Sequence, residues 1–178
     1  MKNLLRTLTL VFWLISPMAY AGVFIGGSVG QTNLEETDLG IGFDADDIGF
    51  KLFGGKRILK FFSLEGGYID FGEPDDVLFT DALEVELFGF DIFAVGTIPL
   101  GTSWELFGKL GFIYWEEDKT LTTGPVPTSE SDGFDAAFGI GLAYKVSEHL
   151  LVRGEYEVFD IDGKDDVTFT SVGIEFRF

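Results

Sequence analysis

Residues 134–146 alternate strictly between two kinds of side chain, and this pattern constrains the fold more than any other feature of the sequence. The even positions are all apolar: Phe134, Ala136, Phe138, Ile140, Leu142, Tyr144 and Val146. The odd positions are small or charged: Asp135, Ala137, Gly139, Gly141, Ala143 and Lys145. Successive side chains of a β-strand point to opposite faces, so a period of two residues indicates a strand. The two faces of this strand must meet very different surroundings.

The same period recurs along the chain and predicts eight strands. Their predicted limits are 22–34, 46–57, 60–72, 82–98, 103–117, 132–146, 150–161 and 166–178. The links at 58–59, "PLGTS" and "VSEH" are short, whereas those at 35–45, 73–81 and 118–131 are longer. Short turns at one end and longer loops at the other are typical of an antiparallel up-and-down meander. With an even number of strands, the start of the first strand and the end of the last strand both lie at the short-turn end.

The fourth predicted strand does not keep its phase. In "VELFGFDIFAVGTI" and the residues just before it, either Asp91 or the pair Glu84 and Glu86 falls on the apolar face. A β-bulge adds one residue to a strand and so shifts the alternation. We therefore predict a bulge near Gly89.

Alternation of this kind fits two barrels, a soluble one that is apolar inside and a membrane barrel that is apolar outside. One strand face carries charges of both signs among many Gly, Ala and Ser residues, and the other carries Phe, Leu, Ile, Val and Tyr. Small residues and paired charges suit the interior of a narrow barrel, whereas large apolar residues suit lipid. The sequence therefore predicts an all-β fold, an eight-stranded antiparallel up-and-down transmembrane β-barrel over residues 22–178.

The charged residues of the inward face are predicted to form an ion-pair network that fills the barrel. These residues are Lys51, Glu65, Glu105, Lys109, Asp135, Arg153, Glu155, Glu157, Glu175 and Arg177. An eight-stranded barrel is just wide enough for side chains to fill it. The alternative is a gated polar path for small solutes through the same residues.

Aromatic residues are predicted to form two belts on the outward face, as at the two interfaces of a bilayer. The belt at the short-turn end contains Phe62, Trp104, Tyr144, Phe176 and Phe178. The belt toward the long loops contains Tyr68, Phe71, Tyr114, Phe134 and Tyr156.

Residues 1–21 have the features of a cleavable secretory signal peptide. Lys2 and Arg6 form a charged first region, "LTLVFWLIS" is a short apolar run, and "AYA" at 19–21 is a small-residue cleavage site. The apolar run is too short for a spanning helix, which needs about 20 residues. Cleavage after Ala21 would leave residues 22–178 as the mature barrel domain.

The sequence contains 30 Asp and Glu against 12 Lys and Arg, a formal net charge of −18. This balance excludes nucleic acid as a partner, because phosphates attract Lys and Arg. Many of the carboxylates lie in the predicted long loops, where hard oxygen ligands suit a loosely bound Ca²⁺ or Mg²⁺. The candidate ligands are Asp44, Asp46, Asp47, Asp75, Asp76, Asp160, Asp162 and Asp165. Simple solvation of the loops is the alternative explanation.

Catalytic chemistry has little support in this sequence. The absence of Cys excludes a disulfide framework, a zinc–thiolate site and a cysteine nucleophile. The single His, His149, lies in the predicted turn "VSEHL" beside Ser147, and no second His exists to act as a general base. We therefore expect no catalytic residue and no resident cofactor.

Four segments carry a family resemblance: "GVFIGGSVGQ", "FKLFGGKRI", "FFSLEGGYIDFGEP" and the final "VGIEFRF". Together they resemble the OmpA-like eight-stranded outer-membrane β-barrel family, including small porin-family, OmpX-like members. The resemblance implies the outer membrane of a Gram-negative cell and insertion by the barrel-assembly machinery. That machinery would recognise the last strand through Val172, Ile174, Phe176 and Phe178. Because the printed sequence ends at Phe178, we expect no periplasmic peptidoglycan-binding domain.

These observations lead to three functional hypotheses. The first is a non-enzymatic barrel with a structural role in the envelope, whose acidic loops contact ions, surfaces or a host. The second is a narrow channel for small solutes, and the third is a lipid A-modifying enzyme. On the first hypothesis the expected partners are outer-membrane lipids, lipopolysaccharide and the assembly machinery, and the barrel is expected to be a monomer.

Overall fold

The structure is a computed structural model of the 178-residue chain and describes residues 22–36, 43–72, 76–78, 81–121, 129–161 and 167–178. Side chains are described for 22–33, 47–72, 87–117, 131–161 and 167–178. The predicted signal peptide lies outside these ranges, so its cleavage stays a prediction. Within them, no helix is both long and apolar enough to cross a membrane.

Nine antiparallel strands lie within the described residues. They are β1 (Val23–Glu36), β2 (Phe43–Leu59), β3 (Phe62–Asp70), β4 (Asp76–Leu78), β5 (Asp81–Leu100), β6 (Trp104–Leu121), β7 (Ser129–Lys145), β8 (Leu150–Asp160) and β9 (Val167–Arg177). Each of the eight long strands pairs with its neighbour in sequence, β3 pairs with β5, and β1 pairs with β9. These pairings close the sheet, so the predicted eight-stranded antiparallel barrel is confirmed.

The short strand β4 falls in a segment that was predicted as a loop. It pairs only with the start of β5, from Asp76 opposite Leu83 to Leu78 opposite Asp81. β4 pairs with β5 beyond the point where the β3–β5 pairing ends. It is therefore not a ninth strand of the closed barrel. β4 could not be predicted from the sequence, because three residues are too few for an alternation to be recognised.

Several strands are longer than the alternation predicts. β6 runs to Leu121 rather than 117, and β7 begins at Ser129 rather than 132. A tilted strand needs only about 9–11 residues to cross a bilayer, so these strands continue past the apolar band. β5 and β6 remain paired up to Leu83 and Leu121, although the β3–β5 pairing stops at Phe88. The result is a three-stranded ribbon of β5, β6 and β7 that projects beyond the closed barrel.

The predicted bulge near Gly89 is wrong. β5 pairs with β6 without a register shift from Leu83 to Leu100, and its pairing with β3 is also continuous. Asp91 therefore keeps its phase and points into the barrel, where it is 6% exposed. Glu84 and Glu86 have the other parity but lie in the projecting ribbon, beyond the β3–β5 pairing. The prediction failed because it assumed that the apolar band covers the whole strand.

Alternate residues face the barrel interior and the outside, as the sequence predicts. Outward-facing Ile92 and Leu110 are exposed, whereas Phe93 and Lys109 on the same strands are buried. The outward aromatic pair Trp104 and Tyr144 lies near the short turns, with ring centroids 4.8 Å apart.

One member of the predicted aromatic belts is misplaced. Phe71 is 1% exposed and packs inside the barrel against Phe159, with ring centroids 5.2 Å apart. Its position follows from strand parity, because Ile69 two residues earlier is also buried. The prediction had assigned it outward because an aromatic residue near a strand end suits a bilayer interface equally well.

Glycines on the inward face give the first test of this packing. An added Cβ on Gly111 would collide with the carbonyl oxygen of Ile92 and the ring of Phe93, whereas nothing lies within 4 Å of one on Gly96. We expect Gly111→Ala to lower the free energy of unfolding by about 1–3 kcal/mol through overpacking. Gly96→Ala, the matched control on the lipid face, should leave it nearly unchanged. Urea unfolding of both refolded variants measures this, and equal effects would contradict the assigned facing.

Candidate functional site

Three basic side chains from three different strands point into the barrel and are buried. Lys51 comes from β2, Lys109 from β6 and Arg153 from β8. Glycines on neighbouring strands make room for them, because an added Cβ on Gly67 would lie 3.0 Å from Lys51 Cε, and one on Gly139 would lie 3.4 Å from Lys109 Cδ. The small residues of the inward face therefore serve to accommodate long charged side chains.

Each buried cation contacts at least two carboxylates. The Nζ of Lys51 lies 2.7 Å from Asp91 and 2.6 Å from Glu157. The Nζ of Lys109 lies 2.7 Å from Glu65 and 3.3 Å from Glu157, and it also pairs with Glu155. Glu157 thus bridges the two lysines, which draws both cations to one carboxylate at the centre of the barrel.

Arg153 extends the contacts toward the short-turn end. Its guanidinium lies 3.0 Å from Glu65, 2.9 Å from Glu155 and 2.7 Å from Glu175. The same group lies over the rings of Phe53 and Phe107, at 4.4 Å and 4.6 Å from their centroids. Stacking on an aromatic face suits the planar guanidinium and compensates part of its lost hydration.

The contacts continue to the mouth of the barrel. Arg177 pairs with Glu175 and donates two hydrogen bonds to Glu105, at 3.1 Å and 2.7 Å. Lys145 lies 2.9 Å from Glu105, and Arg57 lies 3.8 Å from it. An unbroken series of ion pairs therefore runs from Asp91 in the middle of the barrel to its short-turn end.

We call this set the ion network, and its formal charges balance. Its acidic members are Glu65, Asp91, Glu105, Glu155, Glu157 and Glu175. Its basic members are Arg57, Lys51, Lys109, Lys145, Arg153 and Arg177. Removing charges from water is costly, and the cost is recovered only when each charge is well paired. Equal numbers and shared partners meet this requirement.

Nine of the ten interior residues predicted from sequence lie in the ion network. The tenth, Asp135, lies near the long-loop end, where it accepts a hydrogen bond of 2.6 Å from the indole nitrogen of Trp115. Three members were not among those ten: Asp91, Arg57 and Lys145, although the alternation of residues 134–146 had already placed Lys145 on the charged face. Asp91 could have been found from the uninterrupted odd-numbered phase of β5, had a bulge not been assumed.

Apolar side chains fill the interior between the ion network and the long-loop end. This set, the apolar layer, was not predicted, because large apolar residues had been assigned to the lipid face. Its members include Ile69, Phe71, Leu87, Ile113, Trp115, Ala137, Phe159, Ile161, Val167 and Phe169. A cavity that reaches into the ion network from the short-turn end has a volume of about 20 Å³, room for roughly one water molecule. The interior of the barrel is thus filled in two successive zones, the ion network near the short turns and the apolar layer toward the long loops.

The acidic metal candidates are largely beyond what the structure describes. Asp75, Asp162 and Asp165 lie outside the described residues, and Asp44, Asp46 and Asp76 have only their backbone described. Asp47 accepts a hydrogen bond of 2.6 Å from the amide of Ile48, and Asp160 is exposed at the end of β8. Among the described side chains, no three carboxylate or His groups converge to hold a metal ion.

The turn around His149 is held by its own backbone and by β9. The hydroxyl of Ser147 accepts hydrogen bonds from the amides of His149 and Leu150, at 3.3 Å and 3.1 Å. His149 Nδ1 lies 2.9 Å from the carbonyl oxygen of Arg177. These contacts give both side chains a structural role in the turn between β7 and β8.

A sequence comparison identifies the family. The family described as "Outer membrane protein beta-barrel domain" matches residues 7–178. The chain belongs to this family. Compared with curated protein sequences, it has no significant match.

Members of the outer-membrane barrel class among solved structures share this fold over nearly their whole length. Neisserial surface protein A has a TM-score of 0.72 at 11% identity, with 89% of this chain and 98% of that chain covered. The attachment invasion locus protein Ail of Yersinia pestis has a TM-score of 0.63 at 15% identity, with coverage of 89% and 99%. OprG of Pseudomonas aeruginosa also has a TM-score of 0.63 at 15% identity, with coverage of 89% and 98%. At these identities the likeness establishes the fold alone.

Lys109 is the member of the ion network whose loss should be felt most. Lys109→Gln would leave Glu65, Glu155 and Glu157 facing one another without their shared cation, and we expect it to lower the free energy of unfolding by about 3–5 kcal/mol. Lys60→Gln, in an exposed turn, is the control for the loss of one charge. Urea unfolding in the same detergent measures both, and similar losses would contradict the central role of Lys109. Adding Glu157→Gln to Lys109→Gln should recover part of the loss, because it removes one uncompensated charge.

Proposed function

We propose that this member of the outer-membrane barrel family is a non-conducting, non-enzymatic protein with a structural role in the cell envelope. The observation that carries the proposal is the filled interior, in which the ion network and the apolar layer succeed one another along the axis. A solute would have to break several buried ion pairs and then displace packed aromatic side chains such as Phe71 and Phe159. A channel would need open space that this interior lacks among its described residues. Against an enzyme, the single His, His149, has a structural contact with the carbonyl oxygen of Arg177.

The proposed location is the outer membrane of a Gram-negative cell, with the short turns in the periplasm and the long loops outside. Short periplasmic turns and longer extracellular loops are the usual arrangement of such barrels. The family match and the solved relatives from Neisseria, Yersinia and Pseudomonas support the location. The exposed apolar band of outward residues such as Ile92 and Leu110 supports insertion in lipid.

The acidic loops are proposed to contact divalent ions, surfaces or a host. Ca²⁺ or Mg²⁺ would bridge loop carboxylates to lipopolysaccharide phosphates, since both groups offer hard oxygen ligands. A structure of Ail is titled as a complex with a heparin analogue, sucrose octasulfate. The loops of this chain carry many carboxylates and would repel such a polyanion. The favoured external partners are therefore cations and cationic surfaces.

The filled interior predicts the electrical behaviour of the protein. In planar bilayers we expect no stable conductance from the refolded chain, because both zones of the interior are closed. Lys109→Gln should remain silent as well, since the apolar layer is intact in that variant. A stable conductance of the unmodified chain, or one that appears in folded Lys109→Gln, would favour the narrow channel instead. Unchanged lipid A in a deletion strain, measured by mass spectrometry, would further exclude the enzyme hypothesis.

The proposed assembly signal can be tested with two outward-facing phenylalanines. Phe178 and Phe134 are both exposed on the outward face, so replacing either with Ser removes an apolar contact with lipid. Only Phe178 belongs to the proposed recognition sequence of the last strand. We expect Phe178→Ser to lower the amount of folded protein in the outer membrane severalfold and Phe134→Ser to have a much smaller effect. Envelope fractionation with heat-modifiable gel mobility measures this, and equal losses would contradict the assembly signal.

A further inference from the structure

The short-turn end is the positive pole of an otherwise acidic protein. Its five basic side chains are Lys56, Arg57, Lys60, Lys145 and Arg177. The described acidic side chains near them are Glu105, Glu148 and Glu175. The chain as a whole has a formal charge of −18, so this local excess of positive charge is opposite to the average.

Three of these side chains, which we call the rim cations, converge on one buried carboxylate. Arg57, Lys145 and Arg177 contact Glu105, whose side chain is 5% exposed, while their own side chains are 33%, 34% and 20% exposed. Glu105 can balance only one of the three charges, and Arg177 also pairs with Glu175. The carboxylate therefore gathers the three cations around one point at the mouth of the barrel, where part of each side chain stays exposed.

The rim cations line a cavity with a volume of about 560 Å³ at this mouth. His149, Phe178 and Glu148 are also among its lining residues. Among the residues that line the cavity, the three rim cations face one side-chain carboxylate, that of Glu148. Glu105 and Glu175 lie beneath them and balance part of their charge. If the chain is cleaved after Ala21, the new amino group of Gly22 would also lie at this cavity.

An aromatic surface adjoins the cavity on its outer side. The rings of Phe176 and Phe178 are exposed toward lipid, with their centroids 5.1 Å apart, and the ring of His149 stacks on Phe176 at 5.9 Å. Aromatic side chains at the end of an apolar band lie at the level of lipid head groups. A ligand here would therefore meet cations and an apolar surface at once, which is the chemistry of a phospholipid.

We propose that the cavity lined by Arg57, Lys145 and Arg177 binds the phosphate of an anionic phospholipid in the periplasmic leaflet. Arg and Lys are the side chains that bind phosphate most strongly, and the contact with Glu105 pre-orders them. The acyl chains would lie along Phe176 and Phe178. The inference rests on the proposed orientation, with the short turns in the periplasm.

The test measures binding of phosphatidylglycerol and of phosphatidylcholine to the folded full-length protein by native mass spectrometry. We expect a preference for phosphatidylglycerol in the unmodified chain. In Arg57→Gln/Lys145→Gln the affinity for phosphatidylglycerol should fall about tenfold or more, given the attraction of each basic residue for an anionic lipid surface. The affinity for phosphatidylcholine should stay the same, and heat-modifiable mobility confirms that the variant is folded.

The matched control is Lys56→Gln/Lys60→Gln, which removes two positive charges from the same end but outside the cavity. It should keep the preference for phosphatidylglycerol. The proposal is overturned if the unmodified chain shows no preference, if both double variants lose it equally, or if inorganic phosphate alone competes as strongly as the lipid. Binding in this assay does not depend on cellular orientation. In Lys60→Cys, labelling of the thiol by a reagent that stays outside the cell would therefore overturn the orientation without affecting the binding result.

Discussion

The pairing of β1 with β9 is the interaction on which the rest of the structure depends. A sheet in lipid has no water to satisfy an unpaired edge, so only a closed barrel is stable there. The pairing runs from Phe24 opposite Arg177 to Leu34 opposite Val167. Its register also decides which residues face inward, because a slip by one residue would turn every charge of β9 toward lipid. Closure and the ion network are therefore two results of the same register.

The interior combines two ways of filling a narrow barrel. Near the short turns, long charged side chains lie over glycines and share partners, as Glu157 does between Lys51 and Lys109. Toward the long loops, branched and aromatic side chains form most of the filling, and Asp135 and Glu117 are acidic residues beside them. The first arrangement fixes the relative positions of distant strands through directed contacts, and the second excludes water through close packing. The apolar layer shields the ion pairs from water at the long-loop end and so strengthens their attraction.

The sequence predicted the strands, their connections and most of the ion network, because a period of two is a local property that survives in any barrel. It failed where the outcome depends on height along the barrel axis. Phe71 and Asp91 have the parity of inward residues, but the sequence does not state how far each lies from the membrane surface or what faces it across the barrel. The apolar layer was missed for the same reason. In that zone both strand faces carry apolar residues, so composition no longer separates inside from outside.

The projecting ribbon of β5, β6 and β7 has a consequence for how the protein meets its surroundings. The seven residues from Asp81 to Leu87 span roughly 20 Å of strand beyond the point where β3 ends. A paired ribbon of this length extends the long-loop end of the protein well beyond the closed barrel. β4 covers the first residues of β5, and the rest of the ribbon's outer edges has no partner strand among the described residues. The sequence of the ribbon is rich in Asp and Glu, and charged residues on an edge discourage pairing with a second copy. The acidity of these strands thus disfavours association of two copies through their unpaired strand edges.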